Sequence, residues 1–189
     1  MDERLRRALD AIDALHREDP RSIDGTPAEL AYAERMSATL EHLAPGASEA
    51  LRVAVRAQHL CRFRVPRASF PEGKIGYHRW RTEQLKLHAS LAREVVLAAG
   101  YDEAFAARVM DLIRKKNLAT DAEAQALEDA ACVVFLAYEA ADFARGKDEA
   151  QLVDILRKTW AKMSERGRRA ALELELAPEV RALVERALA

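Results

Sequence analysis

Apolar residues recur every three or four positions along almost the whole chain, which is the spacing of one helix face, and no stretch keeps the strict alternation of a half-buried strand. Leu5, Ala8, Leu9, Ile12 and Leu15 predict an amphipathic helix over 2–17. Asp19-Pro20 through Gly25-Thr26-Pro27 reads as a turn region, with Thr26 as the expected N-cap of the next helix and Pro27 as its first residue. That helix carries the stripe Tyr32, Met36, Leu40 and Leu43 and stops at Pro45-Gly46. Ser48 or Gly46 opens a third helix, with Leu51, Ala54, Val55, Gln58 and Cys61 on one face.

From Arg62 to Gly76 the helical pattern breaks at Pro66, Pro71, Gly73 and Gly76, with Arg62, Arg64 and Arg67 among them. A loop of that length inside a compact domain is more often functional than idle. Helices are expected again over 77–99, ended by Gly100, over 102–116, and from an N-cap at Asp121. The last of these holds the most apolar run of the chain, Ala130 to Tyr138, and is the expected central helix. After Gly146, residues 148–163, 164–175 and 178–188 read as three shorter amphipathic helices. The expectation is an all-α protein: a core of about six helices over 1–146, with helices of 147–189 packed on it.

Composition narrows the partners. With 30 basic and 31 acidic residues the net charge is −1, which disfavours general nucleic-acid binding or a membrane-surface role. Cys61 and Cys132 sit in apolar helical surroundings without a CxxC partner, as reduced thiols of a cytoplasmic protein do. Met1-Asp2-Glu3-Arg4 lacks the apolar segment of a secretory leader, and no later stretch reads as a membrane span.

Several polar residues fall where the helices should be apolar, and burying them is costly unless each finds a partner. His88 lies three residues before Leu91 and seven before Val95, and His59 lies one turn beyond Val55. A single histidine on an apolar face is usually a satisfied core residue; two of them with a buried carboxylate raise the prospect of a ligand set. Glu128 and Asp129 immediately precede the most apolar run and point about 100° apart, so at most one aims straight into a site. Lys116 extends the stripe Phe105, Val109, Leu112, either as an inward cation or as a last-turn lysine reaching outward, with Lys115 facing solvent. Glu34 follows Leu30 by one turn as a further inward candidate. Arg62, Arg67 and Arg81 suit phosphate or carboxylate, and Trp80 suits a ring, so the loop and the start of the next helix predict an anion pocket that Gln58 also borders.

Two resemblances add to this reading. Glu29 through Ser37, Ala57-Gln58-His59, Pro66-Arg67, Gly76 through Arg81, Arg114 through Leu118 and Leu127-Glu128-Asp129 resemble an uncharacterised bacterial and fungal family, a domain of unknown function, some of whose members carry the label glutamyl-tRNA synthetase. None of the ATP-binding motifs of such a synthetase is present, and that label is rejected. The order and spacing of His59, His88 with the later Gly100, and Asp129 more distantly resemble the HD-domain metal-dependent phosphohydrolases, with Glu34 where the first histidine belongs. Leu60 replaces the paired aspartate of that family, and Lys115-Lys116 stands where binuclear members carry two histidines.

The resemblance implies an HD-like bundle and two alternatives. In the first, His59, His88, Asp129 and Glu34 hold one divalent transition metal ion (Mn, Fe, Co, Ni or Zn), Glu128 serves the attacking water, and the arginines receive a small phosphorylated metabolite or nucleotide. In the second, the site is degenerate and non-catalytic, Lys116 pairs with the carboxylates, and the arginine-lysine pocket binds an anionic metabolite. A third reading, a purely interacting helical protein, makes the C-terminal helices a homodimer surface.

Overall fold

The protein is all-α, and the structure, a computed structural model, describes residues 2–188. Helix α1 (Glu3–His16) is capped by Asp2 and buries Leu5, Ala8 and Ile12. It leads into a minimal hairpin, β1 (Ser22–Ile23) paired antiparallel with β2 (Thr26–Pro27). Asp24 and Gly25 form its two-residue turn, both at positive φ (50° and 82°), the backbone that an Asp-Gly pair adopts most readily.

This hairpin corrects the expected start of α2 (Ala28–Leu43). Thr26 is engaged in β2, Pro27 occupies the cap position without a side-chain bond, and the Asp19 carboxylate accepts the Glu29 amide hydrogen from ten residues upstream. A distant carboxylate thus does the work of the local cap. The remaining starts follow the local chemistry: Ser48 caps α3 (Glu49–Arg56), Asp102 caps α5 (Glu103–Ile113) and Asp121 caps α6 (Ala122–Val134). Between α3 and α5 lies the longest helix, α4 (Gly73–Ala98).

Helices α1 to α6 share one core, built around Ile12, Met36, Leu51, Leu60, Val96, Leu112 and Leu127. Helix α6 is its pivot and touches α2, α3 and α5 on one side and α8 and α9 on the other. Beyond Val134 the helix does not simply continue. Residues Phe135–Glu139 form a π-helical turn before α7 (Ala140–Ala144). Helices α8 (Glu149–Lys162), α9 (Glu165–Leu172) and α10 (Pro178–Leu188) then build a second cluster on α6, with Cys132, Val133, Leu136, Leu156, Met163, Ala171 and Ala187. No helix among the described residues is long and apolar enough to cross a membrane.

Candidate functional site

The site is built where the chain leaves α3. The C=O and N–H groups of that helix end run into a tight segment in which His59 (φ 61°) and Cys61 (φ 55°) both adopt the left-handed conformation. For non-glycine residues this backbone costs on the order of 1 kcal/mol each and persists only where the surroundings impose it. Here the surroundings are three buried polar side chains. The Glu29 carboxylate of α2 accepts the amide hydrogens of Arg62 (3.1 Å) and Phe63 (2.9 Å). Gln84 of α4 donates its amide to the carbonyls of Arg62 (3.1 Å) and Val65 (2.7 Å), and the Trp80 indole also donates to Val65 (2.9 Å). One turn earlier on α4, Gly76 is required because a Cβ there would lie 1.8 Å from the Pro71 carbonyl oxygen.

So anchored, the segment swings His59 onto Tyr32, ring centroids 4.2 Å apart, and lays the Arg62 guanidinium over Trp80 at 4.7 Å. Arg62 donates to His59 Nε2 at 2.7 Å, which fixes His59 as the neutral tautomer protonated on Nδ1. His88 is fixed the other way. Because the Gln84 amide nitrogen is committed to two carbonyls, its Oε1 must accept from His88 Nε2 at 3.0 Å, leaving His88 Nδ1 as a lone-pair nitrogen. Burial, reinforced by the Arg62 charge, holds His59 well below the usual imidazole range and pushes His88 down to about 3.

These residues open onto a cavity of about 530 Å³. Arg62, Arg81, Arg114 and Lys115 line it with positive charge, and Phe135, Phe143 and Ile155 contribute apolar surface from the π turn, α7 and α8. Arg62 is the notable cation: it is half-buried, yet among the described residues no carboxylate stands within ion-pair distance of its guanidinium. Arg81 and Arg114 also lack a carboxylate partner among the described residues. Glu128 faces the same space but is paired with Lys115. Burial pushes its carboxyl up, and the Lys115 charge more than offsets this, leaving it below the ordinary value.

The candidates therefore divide. His59, His88, Glu128, Gln58, Arg62, Trp80 and Arg81 all line the cavity. Asp129, Glu34, Lys116 and Arg67 do not. Asp129 faces α9, where it accepts from the Ser164 amide (2.8 Å), the Ser164 hydroxyl and Gln125 Nε2 (3.0 Å), and Gly167 packs so close that a Cβ would sit 2.6 Å from its carboxyl carbon. Glu34 is exposed beside Arg56 because α2 turns Tyr32, Ala33 and Met36 inward instead. Arg67 is spent on the carbonyls of Phe70, Pro71 and Gly73 within its own loop.

Lys116, read as either an inward cation or an outward last-turn lysine, takes the outward course: it is exposed and paired with Asp111 at 2.6 Å, while Lys115 reaches Glu128. The stripe that predicts Lys116 assumes a helix to 116, but α5 stops at Ile113. Lys115 then takes φ 53°, its amide bonding Leu112 and the Lys116 amide bonding Asp111, and the left-handed residue redirects the chain toward α6.

As placed, the expected donors do not fit the divalent ion. Asp129 has both oxygens engaged by α9 and Gln125, Glu34 is remote from the cavity, and His59 Nε2 already accepts from a guanidinium. The two imidazole centroids stand 6.0 Å apart, and no three His, Cys, Asp or Glu side chains among the described residues gather as a metal-ligand group.

Sequence reasoning missed Glu29, Gln84, Lys115 and Glu139. Gln84 was discoverable, since it falls one turn after Trp80 and one before His88 on the same face of α4. Glu139 was visible as an acid directly after the apolar run. No curated protein and no solved structure matches the chain. A family model matches residues 6–184, nearly the whole length, and the chain belongs to that family, described as a domain of unknown function (DUF4202).

Proposed function

We propose that the cavity binds a small anionic metabolite, a phosphate or carboxylate compound, with Arg62 as the principal anchor. The observation that carries this reading is the Arg62 guanidinium itself. A partly desolvated cation with no carboxylate partner is expensive, and its free N–H groups form a planar fork suited to a bidentate anion. Trp80 and His59 hold that fork in one orientation, so little side-chain freedom is lost on binding. Arg81 and Arg114, which have no carboxylate partner among the described residues, add favourable charge from the cavity lining.

Calorimetric titration with inorganic phosphate, pyrophosphate and citrate tests this. The wild type is expected to bind at least one of them, and Arg62→Gln to weaken that binding about tenfold or more, equivalent to about 1.4 kcal/mol. Binding unaffected by Arg62→Gln, or none by the wild type, refutes the assignment.

Hydrolysis of a phosphorylated compound is the second reading, favoured by His88, whose Nδ1 keeps a lone pair beside the cavity. It predicts phosphate release from a general phosphomonoester that is lost in His88→Gln. Assays with and without added Mn²⁺, and metal analysis of protein purified without chelator, separate it from binding alone.

A further inference from the structure

The π-helical turn at Phe135–Glu139 has a consequence for what the cavity accepts. Such a turn carries one residue more than an α-helical path and is frequent at functional sites. Glu139 ends the turn and lines the cavity, in the same stretch as Phe135. Among the described residues the Glu139 carboxylate accepts no hydrogen bond and joins no ion pair, although it is only partly exposed. Arg35, the nearest basic side chain on α2, is drawn aside over the Tyr138 ring at 4.3 Å. Arg62 acts on Glu139 only through space. Phe135 and Phe143, edge to face at 5.5 Å, and Ile155 supply the apolar surroundings. A carboxylate kept in such a place without a donor is costly unless something else supplies one.

We propose that the ligand is amphoteric: its phosphate or carboxylate sits on Arg62 and an ammonium nitrogen sits on Glu139. This rests on the anion-binding reading of the same cavity and adds the second recognition point. The two groups come from different elements, one on the segment after α3 and one on the turn after α6, and both line the cavity, so they select for a molecule carrying both charges rather than for either alone.

Matched probes test it. O-phosphoethanolamine carries a phosphate and an ammonium, whereas glycerol 3-phosphate carries the phosphate with hydroxyls in its place. Titrated into the wild type, the first should bind about tenfold tighter, the equivalent of about 1.4 kcal/mol. Glu139→Gln should bring the two within about twofold of each other, and Glu139→Asp should retain part of the preference; circular dichroism of both variants confirms that they are folded. Equal affinities in the wild type, or a preference that survives Glu139→Gln, overturns the ammonium assignment and leaves the anion site standing. Failure of both probes, with no effect of Arg62→Gln on any anion, overturns the two together.

Discussion

Glu128 and Asp129 are neighbours in the chain, both buried on α6, and they serve two different regions of the molecule. Asp129 turns to the C-terminal helices, where the Ser164 amide and hydroxyl and Gln125 fill its acceptor positions and Gly167 closes the remaining space. Glu128 turns to the cavity, where Lys115 is its near partner and Lys162 stands 4.0 Å off. The first acid is a closed joint with no capacity left for a ligand. The second belongs to a wall that still has room and charge to offer. Counting the protein donors around each oxygen separates the structural carboxylate from the available one, where proximity in sequence cannot.

The largest test of this contrast is Asp129→Ala. Losing charge-assisted bonds to Ser164 and Gln125 should cost about 3 kcal/mol in urea unfolding and loosen α9, with helical content falling accordingly. A cost below about 1 kcal/mol would mean that the C-terminal helices are held by apolar packing alone.

Acid titration probes the cavity side. Unfolded histidine takes up a proton near 6.5, whereas folded His88 takes one only near about 3. The unfolded state is therefore protonated first, and stability falls as pH drops through that window. Between about pH 6.5 and 4.5, before the carboxylates contribute, His88→Gln should reduce the slope of stability against pH by about 1.4 kcal/mol per unit. An unchanged slope would show that His88 carries no such depression.

The smallest effect is expected from Glu128→Gln. Removing one member of a pair that borders the cavity should cost about 1 kcal/mol, while releasing Lys115 should tighten inorganic phosphate binding about threefold. Equal destabilisation by Glu128→Gln and Asp129→Ala would erase the distinction between the two acids.

Much of this architecture was legible along the chain. The apolar run after Asp129 marked α6 as central, and Asp121, Ser48 and Gly100 marked helix ends, because these signals are local and their physics is the same in any fold. The cationic wall was legible in part: Arg62, Trp80 and Arg81 followed from composition of one loop and one helix start. Orientation past a helix end was not. Lys115 and Lys116 exchange places because a left-handed residue interrupts the helical period, and α2 begins one residue later than Thr26 suggests because a carboxylate distant in sequence competes for its amide. Glu139 was missed although an α-helical count from Glu128, eleven residues earlier, already places it within about 20° of the same face.

The surplus residue in that turn also makes it a place where a change of length is tolerated. A single deletion between Phe135 and Glu139 would be absorbed as uninterrupted α-helix, so backbone hydrogen bonding and the direction of the later helices would survive while the residues of the turn itself changed face. Length variation there would retune which molecules enter, without dismantling the six helices that precede it.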